Sequence, residues 1–127
     1  MTEKNRIYDL EERTAKFGEN VIEFVKGLPR NVVTIPLIGQ LVRSSTSVGA
    51  NYCEADCAET RKDFEHKLGI CKKESRESKH WLRMIAKAIP EEKDRAKKLW
   101  KESNELNVIF ISIVNKSRQK KKEENNF

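Results

Sequence analysis

Residues 61–89 read RKDFEHKLGICKKESRESKHWLRMIAKAI, and the spacing of the apolar and small residues in this stretch decides the fold. Eight of them follow one another at alternating steps of four and three: Phe64, Leu68, Cys71, Ser75, Ser78, Leu82, Ile85 and Ile89. Such steps keep side chains on one face of an α-helix, which completes a turn in about 3.6 residues. The stretch therefore predicts one long amphipathic helix, which Pro90 ends.

Three further segments show the same helical spacing. Asp9 and Glu12 have the spacing of a capping box at the start of the first segment. Pro36 suits the first turn of the second segment. The apolar run VIFISIV, residues 108–114, is strand-like in isolation, but the helical period continues through it without a turn signal. The predicted helices cover residues 9–28, 36–58, 61–89 and 91–118.

Four helices with short connections pack most simply as an antiparallel up-down-up-down four-helix bundle. The predicted fold is therefore all-α, with residues 1–127 forming a single domain. Steps of four and three favour shallow crossing angles between the helices. The polar tail, residues 119–127, is expected to be disordered.

Composition excludes several classes of protein. Five Gly and three Pro among 127 residues are too few for a many-turned β-sandwich. Three Cys, an odd number, argue against a secreted disulfide scaffold and favour the cytoplasm. The longest strongly apolar run is too short to span a bilayer, so no membrane partner is expected.

The sequence offers little to support catalysis. His66 and His80 are 14 residues apart on one predicted helix, about 21 Å by helical rise, and cannot share a metal ion. Cys53 and Cys57 have a spacing that could bind an ion, but no second pair completes a tetrahedral site. Phosphate-binding loops, nucleophile elbows and zinc helices are also missing. We expect no enzymatic activity, no catalytic residue, no metal site and no cofactor.

The second predicted helix carries a polar stripe opposite its apolar face. Its members are Arg43, Ser47, Asn51 and Glu54. Ser and Asn are unfavourable inside a helix, and a solvated face would favour Lys, Glu and Gln. The stripe therefore predicts a buried polar seam rather than a plain solvated surface.

The third predicted helix has an additional apolar flank, which lies beside Glu74 and Glu77. It comprises Ile70, Trp81, Met84 and Ala88, while Ile109 and Ile111 widen the apolar face of the fourth helix in the same way. A bundle needs only one stripe per helix, so these residues favour a homo-oligomer. A wider inward stripe in a larger core is the alternative.

Basic residues occupy the opposite flank of the third helix. The net charge of +6 is unevenly distributed, with −2 in residues 1–60 and +7 in residues 61–101. Five cations share one narrow arc: Lys72, Arg76, Lys79, Arg83 and Lys87. The arc contains no acidic residue, so it suits a row of phosphates, although a solvated face is the alternative. No aromatic residue lies among these positions, so backbone or shape recognition is expected rather than base stacking.

Two parts of the sequence match the pattern of a known family. They are residues 40–54, QLVRSSTSVGANYCE, and five residue pairs on the third helix. These pairs are Asp63-Phe64, Lys67-Leu68, Lys73-Glu74, Glu77-Ser78 and Trp81-Leu82. The pattern resembles the four-helix bundle proteins encoded in 23S ribosomal RNA intervening sequences. Seven residues fall on motif positions of that family: Arg43, Ser47, Asn51, Glu54, Glu74, Glu77 and Trp81. The chain departs from the family where Ala55 replaces a frequent Gly.

The resemblance implies a small cytosolic bacterial bundle without catalytic activity, assembled as a homo-oligomer and specifically a pentameric barrel. A related bundle is the accessory protein of diversity-generating retroelements, which binds nucleic acid and a reverse transcriptase. We therefore predict that the basic flank binds structured RNA or DNA, and that the seven motif residues form a polar seam or a subunit interface. The alternative is a scaffold that binds another protein and makes no contact with nucleic acid.

Overall fold

The four apolar stripes form four α-helices in the computed structural model, which describes residues 9–126. Helix α1 spans Leu10–Lys26, α2 spans Thr34–Asp56, α3 spans Arg61–Ala88 and α4 spans Lys93–Asn126. A short 3-10 turn, Pro90–Glu92, joins α3 to α4. Residues 108–114 are helical as predicted, and no strand occurs in the described part of the chain. The all-α four-helix bundle is confirmed.

The starts of the first two helices depend on side-chain caps. The Asp9 carboxylate accepts a hydrogen bond from the Glu12 amide at 3.4 Å, as the capping-box spacing predicts. Helix α2 begins before Pro36, because the Asn31 Oδ1 atom accepts the amide of Thr34 at 2.9 Å. This side chain satisfies an amide that the helix itself cannot pair, so the first turn forms two residues earlier than predicted.

The end of α4 differs from the sequence-based expectation. Residues 119–126 were expected to be disordered, whereas α4 continues to Asn126. Arg61, at the start of α3, donates two hydrogen bonds to the Glu124 carboxylate at 2.8 and 3.0 Å. This pair ties the last turns of α4 to the neighbouring helix. Residue 127 lies outside the described residues.

The core consists of the predicted inward stripes. Its largest fully buried side chains come from all four helices and include Phe17, Leu41, Leu68, Leu82, Ile85 and Phe110. Contacts along α2 and α3 run in opposite directions, since Arg43 pairs with Glu77 while Glu54 pairs with Lys67. No helix within residues 9–126 is long and apolar enough to cross a membrane.

Hydroxyl side chains occupy the centre of the bundle beside these apolar residues. We call the five fully buried serines of α2, α3 and α4 the serine layer: Ser44, Ser45, Ser75, Ser78 and Ser103. The Oγ atoms of Ser44 and Ser78 lie 2.8 Å apart and share a hydrogen bond, and the Glu74 carbonyl lies 2.9 Å from Ser78 Oγ. Ser103 donates to the Ser75 carbonyl at 2.7 Å. Small, hydrogen-bonded side chains allow the three helices to pack closely.

Candidate nucleic-acid interface on α3 and α4

The core stripe of α3 separates two flanks of opposite character. On one side Glu74 and Glu77 face α2, where they meet Arg43. On the other side Lys72 and Lys79 adjoin α4. The Lys72 carbonyl accepts a hydrogen bond from Asn107, and the Lys79 ammonium donates one to Asn104. The arrangement places an acidic flank in a helix–helix contact and a basic flank at the edge of α4.

Arg43 links the two glutamates of the acidic flank. Its Nη1 atom lies 3.1 Å from Glu74, and its Nη2 atom donates to Glu77. The Glu74 side chain is only 9% exposed, whereas that of Arg43 is 47% exposed. The guanidinium therefore reaches from the surface to neutralise a buried carboxylate.

The environments of the two glutamates shift their pKa values in opposite directions. Desolvation by burial raises the pKa of Glu74, although the Arg43 charge opposes this shift. Desolvation also acts on Glu77, but there the hydrogen bond and charge of Arg43 prevail and the pKa is lowered. The indole of Trp81 adds to this lowering, although Trp81 Nε1 has no partner with hydrogen-bond geometry among the described residues.

The rest of the predicted polar seam is less buried than expected. Asn51 bonds within α2, donating to the Ser47 carbonyl at 2.9 Å, and both residues are half-buried. Exposed Glu54 pairs with Lys67 of α3 at 3.2 Å. Of the seven predicted seam residues, only Glu74 is buried. Most of the fully buried polar side chains belong to the serine layer, because the predicted stripe runs along the rim of the α2–α3 contact.

All five predicted cations lie on the flank of α3 that adjoins α4. Arg76, Arg83 and Lys87 are exposed, while Lys72 and Lys79 are half-buried. Exposed Lys93, Lys97 and Lys101 of α4 continue the positive charge on the adjacent helix. We call the five α3 residues the basic flank.

The cations of the basic flank lie together on one face of α3 without a carboxylate partner among the described residues. Within residues 9–126, none of its five members forms an ion pair. Elsewhere, Arg13 pairs with Glu102 at 2.7 Å and Arg95 pairs with Glu92 at 2.7 Å. The positive charge of the basic flank is therefore not neutralised within the described structure.

Lys79 is held by α4 rather than extended into solvent. Its Nζ atom donates to Asn104 Oδ1 at 3.0 Å and lies 5.3 Å from the centre of the Trp100 ring. Such a position is typical of a cation–π contact. No aromatic residue lies among the positions of the basic flank itself, but α4 brings Trp100 beside it.

A groove lies between α3 and α4 next to this indole. Its floor contains Leu82, Ala86, Ala96 and Trp100, and its rim carries three cations, Arg83, Lys93 and Lys97. Its volume is about 340 Å³. Lys79 does not line the groove; its ammonium lies over the Trp100 ring, where it is bonded to Asn104. No acidic residue is among the lining residues, so every charged side chain that lines the groove is a cation.

The extra apolar flank of α3 is partly covered within the monomer. Trp81, Ala88 and Ile109 pack against the core while remaining half-buried. Ile111 stays 39% exposed, and Val108, one turn earlier on α4, is 56% exposed. A wider core thus accounts for Trp81, Ala88 and Ile109, whereas Ile111 remains exposed on the surface of the monomer.

The cysteines and histidines of the described residues do not assemble into a metal centre. Cys53 and Cys57 are exposed, and Cys71 is buried in the core, where desolvation raises its thiol pKa to about 12. No group of three or more His, Cys, Asp or Glu in the range 9–126 could hold a metal ion.

Comparison with known proteins places the bundle in a family. The model of the family described as 23S rRNA-intervening sequence protein matches residues 6–112. The chain belongs to this family. The matched range includes the polar stripe of α2, both flanks of α3 and the groove of this intervening sequence protein, but not the last turns of α4.

A solved structure supports the same assignment. It is a protein of unknown function from the S23 ribosomal protein family of Bacteroides thetaiotaomicron. The two chains are 29% identical, and their structures superpose with a TM-score of 0.72. The match covers 82% of this intervening sequence protein and 96% of the Bacteroides chain. No curated protein matches the chain.

Proposed function

We propose that this chain is a non-enzymatic, homo-oligomeric bundle that binds structured RNA or DNA through the basic flank of α3. The observation that carries the proposal is that five cations share one face of α3 and that none of them forms an ion pair within the described residues. Unpaired cations in a row can neutralise phosphates and release their counterions. Arg76, Arg83 and Lys87 supply the exposed contacts, and Lys72 and Lys79 supply the remaining charge.

Geometry along the helix supports phosphate contacts. Arg76 and Arg83 are seven residues apart, about 10 Å by helical rise, and lie on the same side of α3. Lys93 and Lys97 widen the positive surface across α4. The opposite flank cannot share this role, because Glu74 and Glu77 occupy it. Phosphate backbones would therefore follow the α3–α4 side of the bundle.

Reversing two charges on the flank tests the proposal. In the variant with Arg76→Glu and Arg83→Glu, we expect affinity for a hairpin RNA to fall about tenfold or more, because two phosphate contacts become repulsive. Both side chains are exposed, so helicity measured by circular dichroism should not change. Lys16→Glu with Lys26→Glu on α1 is the matched control, since both lysines are exposed and the change in net charge is equal. Equal affinity of both double variants for the hairpin would contradict the proposal.

The homo-oligomer is supported by apolar side chains that the monomer leaves uncovered. Val108 and Ile111 lie on one face of α4, and Val32, Val33 and Ile35 form an exposed group between α1 and the first turn of α2. Contiguous exposed apolar residues are typical of protein interfaces. Light scattering at micromolar concentration should give a mass that is a multiple of the 14.8 kDa chain, with five copies as the proposed number. A monomeric mass would contradict this part of the proposal.

A further inference from the structure

The groove between α3 and α4 combines an apolar floor with a rim of positively charged side chains. Its apolar floor ends at the Trp100 indole, while Arg83, Lys93 and Lys97 surround the floor with positive charge. An aromatic plane can stack a nucleobase, and cations around it can hold the phosphates on either side. Regular duplex RNA does not offer this combination, because its bases are already stacked inside the helix.

We propose that the groove receives one unpaired nucleobase, which stacks against Trp100 while Arg83, Lys93 and Lys97 bind the adjacent phosphates. The inference rests on the proposed function and narrows it to RNA or DNA with an unpaired base, such as a bulge, a loop or a single strand. The basic flank then holds the backbone that continues along α3.

The dimensions of the groove fit a single base. Its volume of about 340 Å³ lies at the lower end of the range for ligand pockets, about 300–1,000 Å³. Leu82 and Ala96 are buried beneath it, so the floor is a fixed part of the core. Lys79 is bonded to Asn104 outside the groove, and its ammonium lies over the Trp100 ring, which steadies the indole. The site is therefore formed before a ligand arrives.

An acidic peptide fits the same groove less well. The groove is built from two helices, whose backbone amides are already paired, so an extended peptide could not add as a strand. A helical peptide needs a long apolar groove for successive anchors, whereas this floor has only Leu82, Ala86, Ala96 and Trp100. A flat base with flanking phosphates matches both the short floor and the cationic rim.

The test compares a fully paired RNA duplex with the same duplex carrying one bulged adenosine. The wild-type protein should bind the bulged duplex more tightly. Trp100→Leu keeps an apolar floor but removes the stacking surface, so affinity for the bulged duplex should fall roughly 5- to 100-fold. Affinity for the paired duplex should stay within about twofold, because its phosphate contacts persist. Trp81→Leu, on the opposite flank of α3, is the matched control and should leave both affinities unchanged.

A second measurement does not depend on the stability of the Trp100 variant. In the Trp81→Phe protein, Trp100 is the only remaining tryptophan, so its fluorescence reports on the groove directly. The bulged duplex should quench this fluorescence, and the paired duplex should not. Single-stranded oligoadenylate should quench it as well.

The outcomes separate this inference from the proposed function. Equal binding of both RNAs, with no effect of Trp100→Leu and no quenching, would overturn the unpaired-base site even if Arg76→Glu with Arg83→Glu still weakened binding. Failure of both RNAs to bind would overturn the proposed function as well. Quenching by an acidic peptide, with none by the bulged duplex, would overturn the nucleobase assignment and make the groove a peptide site.

Discussion

Replacing Ser78 with Leu is expected to lower the free energy of unfolding by about 3 kcal/mol, at the upper end of the usual cost of overpacking. Ser78 is fully buried where α2 meets α3, and its Oγ atom lies 2.8 Å from Ser44 Oγ. A Leu side chain would occupy the space of the facing helix and remove a hydrogen bond. The serine layer can pack closely only because its members are small. Denaturant titration followed by circular dichroism measures the loss.

Ser78→Ala is the matched control for this substitution. It keeps the small volume and removes only the hydroxyl, so the expected loss is within about 1 kcal/mol. Ser44 retains an acceptor in the Leu41 carbonyl at 3.3 Å. Both variants should be compared at one protein concentration, because assembly contributes to apparent stability. A Leu variant as stable as the Ala variant would show that close approach of α2 and α3 is not required.

Replacing Arg43 with Met is expected to lower the free energy of unfolding by about 2 kcal/mol near neutral pH. Removing one partner of a buried ion pair costs about 3–5 kcal/mol, and the exposure of Arg43 reduces that figure here. The variant leaves the Glu74 carboxylate, 9% exposed, without a cation. Met preserves most of the aliphatic stem, so lost packing contributes little.

The matched control is Lys26→Met, which breaks the exposed pair between Lys26 and Glu23 on α1. An exposed pair of this kind contributes about 0.5 kcal/mol or less, so this variant should unfold almost like the wild type. Equal stability of the Arg43 and Lys26 variants would contradict the role assigned to Arg43.

The loss caused by Arg43→Met should depend on pH. Burial already raises the pKa of Glu74 above its ordinary value of 4.5, and removal of the guanidinium raises it further. The folded variant then binds a proton more readily than the unfolded chain, so lowering the pH towards 4.5 stabilises the fold. In the wild type the gain at Glu74 is smaller, because Arg43 opposes its protonation, and it is offset by the stability lost when Glu77, whose pKa is lowered, becomes protonated. The difference between the two proteins should shrink as the pH falls.

Local spacing in the sequence was sufficient to predict most of the fold. The alternating steps from Phe64 to Ile89 placed Ser75 and Ser78 on the buried face of α3, where the structure has them. The helical nature of residues 108–114 was also predicted, because the period on either side determined it. Helix ends were less predictable, since they depend on single contacts such as Asn31 with Thr34 or Arg61 with Glu124.

The candidate site was only partly predictable for a related reason. The two flanks of α3 follow from the helical period of one segment, and both flanks are present in the structure. The contact of Lys79 with Trp100 and Asn104 depends on how α4 is aligned with α3. That alignment is set by packing between helices and leaves no local pattern in either segment. The groove could therefore be recognised only in three dimensions.

The salt dependence of RNA binding tests the central claim most directly. Each phosphate contact with a duplex adds about 0.9 to the slope of log affinity against log salt concentration. We expect a steep linear fall for the wild-type protein, and a slope shallower by about two units when Arg76 and Arg83 are both replaced by Gln. An unchanged slope and affinity in the Arg76→Gln, Arg83→Gln protein would contradict a role for the basic flank of α3 in binding phosphates.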